Sequence, residues 1–288
     1  AGEPVDRASG IEAAPGPWVA GADFFGQSVF TPAALAPPGA PGAAPVRVLP
    51  APLEPLPDPA SAPALRTGSS DDMVALAQRR LEQLGFRPGN TEGRYTPQTA
   101  SAVMAFQKHE GIARNGSINA ETWERLAAPQ GQSPTLAYRM PRVEVDIDRQ
   151  VAFVMFSPSE VYTLNVSSGG GYRYSTKGGG TDVANTPRGE FYVQRRINGI
   201  RVSDLGELYR PLYFTGGYAI HGSNSVPGYP ASHGCVRVSN ADIDWLFDRL
   251  PNGAPVVVKD SVTPDELLKI DAPLHLGDLG LLGHAPAT

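Results

Sequence analysis

The chain has 288 residues with Lys+Arg 24 against Asp+Glu 29, a formal net charge of -5, and Pro 29 and Gly 32. That length holds about two ordinary domains, and the acidic balance gives no general attraction to nucleic acid, so no nucleic-acid partner is expected. No apolar run approaches the roughly 18 to 20 residues of a spanning helix, so no membrane span is expected, and a single cysteine leaves no internal disulfide framework.

Residues 1–68 are dominated by Pro and Ala, and no apolar periodicity lasts beyond one turn. Such a segment buries too little surface to offset its ordering entropy, so it reads as a disordered or loosely docked tether. Trp18, Phe24, Phe25 and Phe30 form short apolar islands that could dock on a folded neighbour. The chain opens at Ala1 without a charged region followed by an apolar stretch, so a signal segment is expected to be absent from it.

A helical domain is expected over 69–129. Val74, Ala77, Leu81 and Leu84 recur at helical spacing, with Ser70 or Asp71 as cap and Gly85 as stop. A second helix starts with Thr96 as N-cap and Pro97 at the first helical position, burying Ala102, Val103 and Phe106. A third starts at Asn119 and offers Trp123 and Leu126. Together they predict a small three-helix bundle. The run LAQRRLEQLGF, EGRYTPQTASAVMAFQKHEGI and NGSINAETWERL resembles the peptidoglycan-binding domain that accompanies many bacterial wall enzymes. It departs from that pattern at Glu92, Tyr95 and Asn115, all turn positions. The resemblance implies binding to glycan or wall through this domain; a bland spacer is the alternative.

Pro129 to Pro134 reads as a polar hinge, and the texture then becomes that of strands. VEVDID alternates, VAFVMF is nearly continuous, and VYTLNVSS, EFYVQRR, LYFTGGYAIHG and PVVVKD follow. Loops rather than helices separate them, so a mostly β, sandwich-like domain is expected over 137–260, with one helix in NADIDWLFDRL. Residues 261–288 read as a C-terminal tail. The fold class is thus multidomain, α and β.

The chemistry concentrates in AIHGSNSVPGYPASHGCVR. A thiol of pKa about 8.5 is only a few per cent thiolate at neutral pH, so a cysteine nucleophile needs a neighbouring imidazole or cation. His221 can supply one, and Gly234, without a side chain, lets backbone N–H groups converge as an oxyanion site requires. Three readings compete: a buried inert Cys235, a metal site, and nucleophilic catalysis. The metal reading lacks ligands, because the other histidines, His109, His275 and His284, lie in the bundle and the tail. No metal and no cofactor are expected. The glycine runs Gly169–Gly171 and Gly178–Gly180 lack the Lys and Ser or Thr of a phosphate loop and read as ends of a loop beside the groove.

HG followed by SHGCVR resembles the active-site signature of the L,D-transpeptidase catalytic domain, supported by TPRGEFYV and GGYAIHG, over about residues 140–260. The resemblance implies Cys235 as nucleophile, His221 as general base, and the Gly222 carbonyl as the group orienting the imidazole. It also implies that His233 shapes the pocket, that the amides of Gly234 and Cys235 hold the oxyanion, and that Arg237 contacts substrate. An ion pair of Arg237 with Asp242 or Asp244 is the structural alternative. Ser232 reads as a turn residue, and Tyr213 and Tyr229 as groove or core aromatics.

The implied activity is formation of 3-3 cross-links between donor and acceptor stem peptides of peptidoglycan through a cysteine acyl-enzyme. It belongs to wall biogenesis and cell shape, in a secreted, periplasmic or cell-envelope setting in bacteria, and implies acylation by carbapenems. An L,D-carboxypeptidase using water, or a non-catalytic wall-binding protein, stands beside it.

Overall fold

Residues 54–131, 140–157 and 159–262 are described by the computed structural model. The aromatic islands of the N-terminal segment, residues 132–134 of the expected hinge, and His275 and His284 lie outside them.

Capping chemistry places each helix. α1 (Asp72–Gln83) starts where the Asp71 carboxylate accepts the Val74 N–H at 2.9 Å. α2 (Pro97–Glu110) starts at the Thr96 capping box and ends at Gly111, whose φ of 71 suits glycine. α3 (Ala120–Ala127) starts where Asn119 accepts the Thr122 N–H. Val74, Leu81, Val103, Phe106, Ile118, Trp123 and Leu126 form their shared core. The predicted caps and core residues are those observed.

The tether boundary at residue 68 needs correction. Leu65 belongs to the bundle core and exchanges backbone hydrogen bonds with Ile118 at 2.9 and 2.8 Å. The Trp123 indole donates to the Pro63 carbonyl at 2.9 Å, and Arg79 pairs with Glu54. Proline lacks a donor but keeps its carbonyl, so a Pro-rich strap can still wrap a bundle. At the other end Val262 is buried and donates its N–H to Asp146.

The second domain is a sandwich. One sheet runs β3 (Glu160–Asn165), β2 (Val151–Ser157), β1 (Arg142–Asp146), β12 (Pro255–Lys259), β6 (Gly189–Tyr192). The other runs β11 (Val236–Val238), β10 (Tyr218–Gly222), β9 (Gly206–Thr215), β7 (Arg195–Arg196), with β8 (Ile200–Ser203) also on β9. β4 (Arg173–Ser175) and β5 (Thr181–Val183) form a separate hairpin. Val145, Val154, Leu164, Leu212, Phe214, Ile220, Val236 and Val258 share a core with Ile243 and Leu246 of α4 (Asn240–Arg249). Ser239 caps α4 through the Asp242 N–H at 3.0 Å.

The two domains share a polar seam. The Lys108 side chain of α2 is fully buried, and its ammonium donates to Gln150 O at 3.1 Å, Asn165 Oδ1 at 2.5 Å, Val166 O at 2.7 Å and Pro227 O at 3.3 Å. Burial, and then the Arg114 guanidinium, push this amine down to about 7, whereas the four oxygens, none of which carries a proton, favour the ammonium. At a second point the buried Asp242 carboxylate receives Arg87 Nε at 3.2 Å and Gln98 Nε2 at 2.9 Å, and Arg87 stacks over Trp245. Gly85, the stop of α1, accepts the Thr163 N–H through its carbonyl.

Replacing Lys108 by Met leaves those oxygens without their donor in a closed interior. A stability loss on the order of 3 kcal/mol is expected, since each stranded polar group costs about 1 to 3 kcal/mol. Denaturant unfolding of the full chain checks it.

Candidate functional site

β10 and β11 pair in parallel, with His221 opposite Arg237 and Ile220 opposite Val236. Side chains alternate along a strand, so Ile220 and Val236 enter the core while His221 and Arg237 take the other face. Cys235 directly precedes β11 and shares that face with Arg237 two residues on. All three line one groove of about 780 Å³, with Tyr174, Arg195, Tyr213, Tyr218, Ser232 and His233.

His221 is buried, and its Nδ1 lies 2.9 Å from the Gly222 carbonyl oxygen. A carbonyl only accepts, so Nδ1 carries the proton and Nε2 keeps its lone pair. Burial pushes the imidazole down to about 4; the Gly222 bond opposes this and the Arg237 charge adds to it. Burial also raises the Cys235 thiol, against smaller lowering effects of the Ala219 N–H and the Arg237 charge. The thiol lies 3.8 Å from the Gly217 carbonyl oxygen, and among the described residues no hydrogen bond joins it to His221. The resting pair is therefore neutral.

Gly222 has no room for a side chain: a Cβ would lie 2.6 Å from Ile243 Cγ2 and 2.7 Å from Asn240 Oδ1. Gly234, at φ 138, would collide with Tyr218 and the Asn185 carbonyl. The turn before Cys235 closes on Ser232, whose Oγ donates to Cys235 O at 2.5 Å and accepts the Gly234 N–H at 3.0 Å. This alters the expected oxyanion site. The Gly234 amide is engaged within the turn, while the Cys235 amide takes no part in it. Thr186 donates to the Gly234 carbonyl at 2.8 Å and accepts the Gly169 N–H, so the TPRGEFYV segment supports the same peptide.

Arg237 makes no ion pair among the described residues. The expected partners are engaged elsewhere, Asp242 with Arg87 and Asp244 with Arg210 at 2.9 Å. Tyr213 forms a small cluster with Leu208 and Ala219, against which Cys235 packs, and Arg195 stacks on the Tyr213 ring at 4.3 Å. Tyr229 is exposed and does not line the groove. His233 lies edge-on between Tyr172 and Tyr174, at 5.4 and 4.8 Å.

Those tyrosines, with Arg195, Arg201, Asp204 and Glu207, line or flank the site without having been singled out in the sequence. The signal available for them was the pair of glycine runs. Gly178–Gly180 turns the β4–β5 hairpin that carries Tyr174, and Gly169–Gly171 is tied to Ser232 and Ala184 by backbone bonds. His109 is buried beside Glu110 and between Phe86 and Phe153, away from the groove. Among the described residues no three His, Cys, Asp or Glu side chains gather as metal ligands.

Comparison with known proteins places both domains. The L,D-transpeptidase catalytic domain model matches residues 140–258, and a putative peptidoglycan binding domain matches residues 70–126. The crystal structure of an L,D-transpeptidase (residues 123-326) from Xylanimonas cellulosilytica is 41% identical at a TM-score of 0.64, covering 69% of this chain and 98% of that chain. The putative L,D-transpeptidase YciB of Bacillus subtilis is 27% identical over 156 residues, 44% of this chain and 70% of that protein. The localization factor PodJL of Caulobacter vibrioides is 39% identical over 54 residues, so the chain spans only 6% of its length. This chain belongs to the L,D-transpeptidase family.

A neutral cysteine and histidine pair predicts a particular alkylation profile. Modification of Cys235 by iodoacetamide is expected to be slow at pH 7 and to climb only above the ordinary thiol range, near 8.5. A rate plateau between pH 5 and 8 would instead reveal a preformed thiolate and imidazolium.

Proposed function

We propose that the chain is a peptidoglycan L,D-transpeptidase that forms 3-3 cross-links through a Cys235 acyl-enzyme. The observation that carries this reading is the Nδ1 to Gly222 carbonyl contact of 2.9 Å, which leaves Nε2 of His221 as a base in the groove shared with Cys235.

In the first half-reaction His221 Nε2 takes the thiol proton as Sγ attacks the carbonyl carbon of the third stem residue. The oxyanion is held by the Cys235 N–H, with the Arg237 charge nearby. Collapse breaks the amide bond, and the imidazolium returns its proton to the departing D-alanine amine, leaving a thioester. In the second, a side-chain amine of a neighbouring stem attacks the thioester and loses its proton to Nε2, and the thiol is released. No metal or cofactor is needed to balance either step.

The depressed basicity of His221 suits the return of the proton more than its removal from the thiol. An imidazole at about 4 is unprotonated at neutral pH and gives up a captured proton readily. His233, held by two tyrosines, would shape the donor subsite, and the cluster of Leu208, Tyr213 and Ala219 would back Cys235. Ser232 acts through the turn. The helical domain holds the enzyme on glycan or wall, which places its work in the bacterial cell envelope.

Water in place of the amine would make an L,D-carboxypeptidase. Incubation with disaccharide tetrapeptide and mass analysis distinguishes them: cross-linked dimer with loss of D-alanine is expected, and tripeptide alone would overturn transpeptidation. Cys235→Ala is expected to lower turnover at least about 1,000-fold, as loss of a catalytic nucleophile does. A carbapenem should add covalently to the native chain and not to that variant; equal adducts would remove Cys235 from its role.

A further inference from the structure

A second cavity, of about 480 Å³, opens between the two domains. Its walls come from α2, the residues before α3, the loop after β10 and the first turn of α4. That volume falls within the range of small-ligand sites, roughly 300 to 1,000 Å³. Its position is fixed by the seam. Asn165 and Val226 on one side adjoin the Lys108 anchor, and Gln98 and Ser239 on the other belong to the Asp242 anchor. The cleft is therefore a gap left between two locked contacts.

The lining chemistry differs sharply from that of the catalytic groove. The groove carries Arg195, Arg201, Arg237, Asp204 and Glu207, suited to a peptide bearing carboxylates and amines. Among the described residues that line the cleft, none is Asp, Glu, Lys, Arg or His. Its polar groups are carboxamides and hydroxyls, with Gln98, Asn115, Asn165 and Asn224 among them, and Ala100, Met104 and Val226 add apolar surface. Ser101 Oγ and Asn240 Oδ1 belong to lining residues but are packed within the walls, the latter against Gly222, so the groups open to the cleft are the remaining carboxamides and hydroxyls. Carboxamides, which both donate and accept, match neutral sugar hydroxyls and acetamido groups better than they match ions.

Ser223 lines both cavities, so the cleft meets the groove of Cys235 at one wall. We propose that the interdomain cleft is a glycan subsite, taking neutral N-acetylated sugar units of the strand whose stem peptide occupies the catalytic groove. This assignment rests on the peptidoglycan reading above and adds to it a built site at the seam, made by both domains. The seam's function is then to hold sugar and peptide subsites in fixed register, so that a donor reaches Cys235 already oriented by its glycan.

Chitotetraose, a neutral N-acetylated tetrasaccharide without peptide, tests the site by calorimetric titration of the full chain. Saturable binding is expected, weakened at least 10-fold by Ser101→Phe, which fills the cleft, and by Asn224→Ala, an exposed position whose replacement removes one surface hydrogen bond, that from Asn240 Nδ2. Turnover gives a second readout. Both variants should process a free tetrapeptide stem as the native chain does, and lose several-fold in kcat/KM on disaccharide tetrapeptide. No saturable binding by the native chain, or binding equal in Asn224→Ala, overturns the subsite. If donors are processed while chitotetraose ignores both residues, the cleft assignment falls and the activity reading stands. If chitotetraose binds through these residues and no donor is processed, the reverse holds.

Discussion

The parallel pairing of Tyr218–Gly222 with Val236–Val238 governs the rest of the site, because it sets the face on which each side chain emerges. A shift of one residue would carry His221 and Arg237 into the sandwich and bring Ile220 and Val236 out. The hydrophobic core resists that shift, since Ile220, Val236 and Val238 each fill space against Ile243 and Leu246. Core burial and site geometry are thus a single constraint. Two glycines complete it: Gly222 lets α4 approach close enough to back the histidine, and Gly234 lets the chain turn between Tyr218 and Asn185.

The loop joining these strands, residues 223–235, has no helix of its own. Its backbone oxygens are held from outside, Pro227 by Lys108, Val226 by Asn165 and Tyr229 by Ser167. Gly228 presses on Arg114, so the helical domain forms part of the loop's bed. Domain attachment and loop conformation are coupled in this way. A binding domain joined only by a flexible hinge would have no such influence on the residues before Cys235.

Much of this was legible in the sequence where the cause is local. Asp71, Thr96, Asn119 and Ser239 read as caps because a short polar side chain bonds its own helix within three residues. His221, Gly222 and Cys235 were legible as a motif, and the pairing of β10 with β11 sets His221 and Cys235 along one groove, with the Gly222 carbonyl against His221 Nδ1. What escaped were features set by distant chain. Lys108 has nothing local to distinguish it from a solvated helical lysine, and only Gln150, Asn165 and Pro227 make it a buried anchor. Asp242 stood in the sequence as one of two alternative partners for Arg237, yet it pairs with Arg87, 155 positions away. The strap at 54–68 escaped because composition describes what a segment can bury alone, not what a bundle offers it. The Gly234 amide escaped because a hydroxyl two residues earlier claims it.

Electrostatics connect these layers. Burial depresses His221 and raises Cys235, so neither is charged at rest and the groove does not bear the cost of an isolated buried ion pair. In the proposed reaction, charge would appear only as the proton moves from sulfur to Nε2. Arg237, which makes no ion pair among the described residues, would in the proposed reaction stand as a cation in the groove where the oxyanion develops, whereas in the resting site its charge lowers both pKa values. A salt bridge to Asp242 or Asp244 would have cancelled that effect. The engagement of Asp242 at the domain seam and of Asp244 with Arg210 therefore leaves the Arg237 charge uncancelled by either, as the proposed role requires.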